Sequence, residues 1–318
     1  MDRAVEIMTS PSVKESVGRE SSRGFKMPAD AGISFVELRV RDLGRMLTFY
    51  RDALGLTETK QTTSGSELAA AGGGETIVRL FEDRNAEPRA SRTTGLFHTA
   101  IRFPGRVALA QIFRRLASLD IAFQGFADHG VSEALYLADP EGNGLELYAD
   151  RPRNQWKLSD GTIQMGTWAL DVDALLALGS SDRWSGVDSR TDIGHIHLNV
   201  SDLAGAEAFY CDLLGFDVMV RTYSGALFVS AGGYHHHIGL NIWAGRGASR
   251  PPEHSTGLMS YGINAGTQDL LSSLKQTLDR KGISFTVGDH QLTLTDQDGI
   301  RIHLLESGGV SSSTGGKI

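Results

Sequence analysis

From Gly32 onward the chain switches between short runs of period two and longer stretches of period near 3.6, the marks of half-buried strands and amphipathic helices. Phe35-Val36-Glu37-Leu38-Arg39-Val40 reads as a strand, Asp42 as a helix N-cap, the stretch from Leu43 as an amphipathic helix, and Gly55 as its stop. The series returns at an offset of 160 residues: the strand His195-Ile196-His197-Leu198-Asn199-Val200, the cap Asp202, the helix carrying Phe209 and Tyr210, and the stop Gly215. A second pair matches Gly95-Leu96-Phe97-His98 to Gly257-Leu258-Met259-Ser260, each a strand leading into a predicted helix, 107–119 or 269–281. Strands follow each helix, and each unit closes after a turn, Asp139-Pro140-Glu141-Gly142-Asn143 or Asp296-Gln297-Asp298-Gly299. The chain therefore reads as strand–helix–strands units of about 50 residues, over 32–83, 94–150, 192–244 and 256–307. These make two tandem halves, 32–150 and 192–307, separated by a connector, 151–191, that contains Pro152 and Gly161. Residues 1–31, rich in Ser, Lys, Glu and Arg without an apolar period, read as a flexible extension, and 308–318 as a flexible tail.

Composition narrows the function. Cys211 is the lone cysteine, so no intrachain disulfide forms. No apolar run approaches the roughly 20 residues of a membrane span, and Met1 to Glu20 has no apolar core of a secretory signal. The net charge is −7, with bases interspersed among acids, which argues against nucleic acid as a partner. The expectation is a cytoplasmic enzyme or small-molecule-binding protein, assembled as a homo-oligomer.

The four βαβββ units resemble the vicinal oxygen chelate superfamily, an α+β fold in which tandem units form two open, β-barrel-like cavities. Within it the chain is similar to the bacterial catechol 2,3-dioxygenases, extradiol ring-cleaving enzymes. The resemblance rests on His129-Gly130-Val131-Ser132 leading to Tyr136, Asp139-Pro140-Glu141-Gly142-Asn143-Gly144-Leu145-Glu146, Gly194-His195-Ile196-His197-Leu198, and Gly232-Gly233-Tyr234-His235-His236-His237-Ile238-Gly239-Leu240. It covers about 32–307.

The resemblance implies that metal ligands come from the first and last strands of a unit. The first-strand positions hold Phe35, His98, His195 and Ser260; the last-strand positions of units two and four hold Glu146 and His303. Units two and three thus supply His98, Glu146 and His195, whereas Phe35, Ser260 and His303 are not a ligand set. Ligand bonds of about 2.0–2.2 Å demand convergence, so unit two should pair with unit three and unit one with unit four, as in some superfamily members. One metal-bearing cavity and one vestigial cavity are expected. Taken singly, a strand histidine is more often a packing residue and a glutamate after a turn is more often solvated; the coincidence at repeat-equivalent positions favours ligands. His197 is the rival to His195 and is assigned to the pocket lining. Two histidines and one carboxylate are the facial set of non-haem Fe(II) oxygenases, and Mn(II) is also compatible.

Further roles follow from the same resemblance. Proton movement during ring opening suits a histidine. His236 matches the family's acid–base histidine. Strand alternation puts His236 on the face opposite His235 and His237, which leaves His237 as second candidate. His129 and Tyr136 match residues that contact substrate oxygens, although their spacing is about two residues shorter than in some relatives, so only one is expected to keep its role. The bland readings are a surface histidine patch, a loop histidine and a strand aromatic. Phe97, Trp156 and Trp243 are pocket or core; Arg114 and Arg115 read as a solvated helix face; Cys211 is structural; His254, His290 and His303 have no assigned role. The expected function is an Fe(II)-dependent extradiol dioxygenase acting on a catecholic substrate with O₂. The alternatives are a glyoxalase-like isomerase or lyase, whose fourth ligand would stand at Gly239 or His237, and a metal-free binding protein.

Overall fold

The computed structural model describes residues 25–178 and 184–307. Unit one comprises β1 (Gly32–Val40), α1 (Leu43–Leu47), β2 (Thr57–Thr62), β3 (Gly65–Ala69) and β4 (Thr76–Glu82). Unit two comprises β5 (Gly95–Phe103), α2 (Arg106–Ser118), β6 (Gly125–Asp128), β7 (Ser132–Ala138) and β8 (Gly144–Asp150). The connector carries the small hairpin β9 (Leu158–Ser159) and β10 (Thr162–Ile163), then α3 (Val172–Leu176). Unit three runs through β11 (Asp192–Asn199), α4 (Leu203–Glu207), β12 (Asp217–Val220), β13 (Ala226–Ser230) and β14 (Ile238–Asn241). Unit four runs through β15 (Gly257–Asn264), α5 (Gln268–Lys281), β16 (Phe285–Gly288), β17 (Gln291–Thr295) and β18 (Arg301–Leu305).

The two long helices bury the stripe that their sequences carry. In α2 it is Leu109, Ile112, Phe113 and Leu116; in α5 it is Leu271, Leu274 and Leu278. The helices of units one and three are shorter than their periodicity suggests. Asp42 caps α1 by accepting from Arg45 N at 2.9 Å, and Asp202 caps α4 by accepting from Gly205 N at 2.8 Å. Both helices then widen into π turns, Thr48–Ala53 and Ala208–Leu213. The widening turns Tyr50 and Tyr210 into the interior, where both are buried.

Strand pairing joins units that are not neighbours in sequence. β1 runs antiparallel to β15, from Gly32 opposite Asn264 to Arg39 opposite Gly257, and parallel to β4. β11 runs antiparallel to β5, from Asp192 opposite Arg102 to Asn199 opposite Gly95, and parallel to β14. Unit one therefore shares a sheet surface with unit four, and unit two with unit three. The two surfaces meet at β1 and β11 through Ile33 and Ile193, making one continuous sheet. Each surface is an open sheet rather than a closed barrel.

Residues 25–31 belong to the fold rather than to a flexible extension. Phe25 and Met27 are buried in the core, and Met27 N donates to Gly215 O at 3.2 Å. The apolar pair Phe25 and Met27, two residues apart, is what the reading of 1–31 as polar passed over. Residues 1–24 and 308–318 lie outside the described residues.

Candidate metal centre

The register of three strands builds the centre. On β5, His98 faces Gly144 of β8 and His197 of β11; on β11, His195 faces Ala100 of β5, which in turn faces Glu146 of β8. His98, Glu146 and His195 are all buried, and each offers a ligand atom within 4.8 Å of the others. His98 Nε2 lies 3.0 Å and His195 Nε2 3.1 Å from the same oxygen, Glu146 Oε2. His98 Nε2 nevertheless has no well-directed hydrogen bond among the described residues. Burial pushes His195 down to about 4, so its imidazole is neutral near pH 7. Burial works to raise Glu146, but His195 and His98 hold its carboxyl well below the ordinary value. Neutral imidazole and ionised carboxylate are the ligating forms. An orphaned buried nitrogen converging with a second imidazole on one carboxylate oxygen fits a cation.

Two glycines admit the rings around this cluster. A Cβ on Gly194 would stand 1.7 Å from the Tyr148 hydroxyl; with none there, Tyr148 packs on His195 with ring centroids 4.9 Å apart. A Cβ on Gly239 would stand 2.8 Å from the ring of His197. Gly239 therefore supplies no fourth ligand, and the His197 ring takes the space beside it.

The cluster opens on a cavity of about 340 Å³. His129 and Tyr136 both line it and are bonded to each other: Tyr136 Oη lies 2.7 Å from His129 Nε2, while His129 Nδ1 lies 2.7 Å from Gly166 O. The backbone carbonyl can only accept, so Nδ1 carries the proton and the Tyr136 hydroxyl donates to Nε2. The short spacing between them thus leaves both at the cavity. Phe97 and Trp243 form its mouth, 40% and 48% exposed, rather than core. No lysine or arginine lines this cavity among the described residues.

His236 also lines the cavity, its ring centroid 4.0 Å from that of His195. Burial and the neighbouring His195 depress its pKa well below the ordinary value. Strict alternation separates His236 from His237, as expected, but not from His235. The three histidines lie in the bend before β14, not in an extended strand, so His235 and His236 are adjacent, Nδ1 to Nδ1 at 2.7 Å. His237, the second candidate, turns away from the cavity. Its Nδ1 lies 2.8 Å from Ser230 Oγ and accepts from Ala231 N at 3.3 Å, and burial depresses its pKa to about 3. Trp156 packs behind the site on His235, with centroids 5.4 Å apart. Arg114 and Arg115 are not merely solvated; they donate to the carbonyls of Leu176 and Asp52.

Units one and four carry no such cluster among the described residues. Phe35 stands where unit three has His195. Arg79 stacks 3.6 Å from the Phe35 ring centroid, His303 lies against the same ring, and Ser260 Oγ donates to Glu37 at 2.7 Å.

Sequence reasoning passed over Tyr148 and Asp150, although period two from Glu146 places all three on one face of β8. Beyond Trp156, it also gave no site role to the connector. Met165 and Thr167 line the cavity, and Asp128 and Trp168 exchange backbone hydrogen bonds of 3.0 and 2.9 Å. No periodic signal marks that stretch.

A profile of the Glyoxalase/Bleomycin resistance protein/Dioxygenase superfamily matches residues 32–147 and 192–304. The chain belongs to that superfamily. It is 44% identical over 271 residues to a protein of Bacillus subtilis strain 168 named catechol-2,3-dioxygenase, covering 84% of this chain and 94% of that one. Its fold is similar to the crystal structure of a putative dioxygenase from Bacillus subtilis, with TM-score 0.64 and 15% identity over 88% of this chain and 86% of that one. It is also similar to glyoxalase I from Zea mays, with TM-score 0.53 and 14% identity over 87% of this chain and 92% of that one. These superfamily relationships match the tandem units and the open sheet described above.

Proposed function

We propose that the protein is an iron(II)-dependent extradiol dioxygenase that opens the ring of a catechol with O₂. The observation that carries this reading is the buried His98, Glu146 and His195 cluster facing an aromatic-lined cavity, in a chain 44% identical to a protein named catechol-2,3-dioxygenase. Two histidines and one carboxylate leave a face open, and a catecholate and O₂ together ask for three positions. Neither position proposed for a fourth ligand supplies one, Gly239 having no side chain and His237 being turned to Ser230, which favours this reading over a glyoxalase-like one.

Iron(II) bound there would acidify the catechol hydroxyls and mediate electron transfer from the ring to O₂. The protein side chains do the rest. Phe97, Trp243 and Phe228 hold an aromatic ring and exclude water. The Tyr136 hydroxyl, fixed by His129, keeps oxygen lone pairs to accept from a substrate hydroxyl. His236 takes a proton from the diol and returns it as the ring opens.

The test is anaerobic purification with Fe(II), followed by oxygen uptake and the yellow absorbance of the ring-opened product from catechol. Oxygen uptake matched to product in a 1:1 ratio is expected. Protein that binds Ni(II) or Zn(II), takes up no O₂ and isomerises a thiohemiacetal would overturn the reading.

A further inference from the structure

Behind His236 lies a chain of hydrogen bonds, buried at the histidines and half-buried at Asp150, that the reaction outlined above does not use. His236 Nδ1 lies 2.7 Å from His235 Nδ1, and His235 Nε2 lies 2.9 Å from Asp150 Oδ1. His235 is fully buried, enclosed by the rings of Tyr148, Trp156 and Tyr234. The Asp150 carboxylate also accepts from the Tyr234 hydroxyl, at 3.0 Å to Oδ2 and 3.2 Å to Oδ1, and from Arg102 Nη1 at 3.5 Å to Oδ2. We propose that Asp150, acting through His235, fixes the tautomer of His236 so that His236 turns a bare nitrogen to the cavity. The proposal rests on the reading of His236 as the proton-handling group.

Burial would raise Asp150, but His235, Arg102 and Tyr234 hold it below the ordinary carboxylate value, so it is ionised and can only accept. His235 must then carry its proton on Nε2, and in its neutral form its Nδ1 is bare. A contact of 2.7 Å between two ring nitrogens needs one proton between them, which has to come from His236 Nδ1. The other nitrogen of His236, Nε2, makes no hydrogen bond among the described residues and is left with a lone pair. That is the form that accepts a proton from a diol. Asp150 touches neither substrate nor metal ligand in this scheme; it is a positioning residue, and its logic is that of the aspartate in a Ser-His-Asp triad, with one more imidazole in the line.

Replacing Asp150 by Asn should invert the line rather than break it. Arg102 donates to Oδ2 and the Tyr234 hydroxyl lies nearer Oδ2, at 3.0 Å, than Oδ1, at 3.2 Å, so the amide oxygen of Asn belongs at Oδ2 and its NH₂ faces His235 Nε2. His235 would then be protonated on Nδ1 and donate to His236 Nδ1, and Nε2 of His236 would carry the hydrogen.

The experiment reads the tautomer directly. In the full-length chain labelled with ¹⁵N-histidine and prepared without metal, two-bond ¹H–¹⁵N spectra should show His236 protonated on Nδ1 and bare on Nε2, and Asp150→Asn should exchange the two. An Nε2-protonated His236 in the wild type, or no change in the variant, overturns the proposal. His235→Phe gives a second arm: without its acceptor, His236 should show both tautomers, and a single unchanged tautomer overturns the proposal. In iron-loaded protein, Asp150→Asn should lower kcat by about 10²-fold or more with little change in KM, and should cost nothing further in a His235→Phe background. Additive losses in the double variant would mean that Asp150 acts by some other route. Wild-type protein that fails to turn over catechol would remove the functional reading alone, because the tautomer spectra stand without turnover.

Discussion

The hydroxyl of Tyr50 donates to Asp139 Oδ2 at 3.0 Å across the boundary between units one and two, both groups buried. Tyr210 repeats the contact with Asp296, also at 3.0 Å, between units three and four. Helix-to-turn contacts therefore tie each half together in sequence order, while the strands pair across the halves. The two sheet surfaces are locked by both sets of contacts at once. Tyr50→Phe should cost about 1–3 kcal/mol, because a buried carboxylate loses a donor. Urea denaturation reads it; a loss indistinguishable from zero would mean that the remaining donors to Asp139, such as Asn143 Nδ2 at 2.8 Å, satisfy it alone.

His98→Ala, Glu146→Ala and His195→Ala should each abolish stoichiometric metal binding and turnover while the circular dichroism of the fold persists. Each removes one of three converging ligands. His303→Ala should keep its metal, because His303 Nδ1 is engaged with Thr293 Oγ1 at 2.8 Å in the other surface. Metal analysis by plasma spectrometry on the four proteins decides; full occupancy in any of the first three makes that residue no ligand.

His236→Phe should retain metal and slow ring opening by roughly 10²–10⁴-fold, the usual contribution of a positioned acid–base group. His237→Phe, whose ring faces Ser230 rather than the cavity, should stay within a few-fold of wild type in kcat. Single-turnover rates on both variants separate the two; the reverse ranking would place the proton chemistry on the wrong histidine.

Stability should carry a pH signature from Asp296. Burial raises its pKa to about 6, against about 3.9 in an unfolded chain. Between those values the folded protein holds a proton that the unfolded chain has released. The resulting stabilisation is full below about pH 4 and is lost as pH rises through about 6, an effect on the order of 2–3 kcal/mol. Asp296→Asn lacks the proton. In urea titrations at pH 4.5 and pH 7, the stability of wild type relative to this variant should fall as pH rises; a difference that is flat or grows with pH removes the assignment.

Gly239→Ala should impair the site without emptying it of metal. The new Cβ meets the His197 ring at 2.8 Å, and that ring is backed by Phe228 and Trp243, so it is pushed toward the cavity. A higher KM for catechol with unchanged metal content is expected, read from steady-state kinetics; an unaltered KM would show that the ring moves elsewhere.

The repeat, the strand and helix order and the caps at Asp42 and Asp202 were legible in the sequence alone; the candidate ligands His98, Glu146 and His195 became legible once the family resemblance marked which strand positions to compare between units. Each depends on local periodicity or on comparing one unit with another, and backbone hydrogen bonding and side-chain alternation act over a few residues. What the tertiary structure decided depends on contacts between distant segments. The bend before β14 put His236 against His235, which strict alternation would have kept on opposite faces, because the backbone there is not extended; His237 does lie on the other side from His236. Asp150 reached His235 across 85 residues of chain, and the connector came to wall the cavity through Met165 and Thr167 while Gly166 holds His129. The helix stripes could not reveal that α1 and α4 widen to bury Tyr50 and Tyr210, because that turn is stabilised by carboxylates on another unit. Periodicity says which face of an element is apolar; only packing says which polar groups meet across the faces that it brings together.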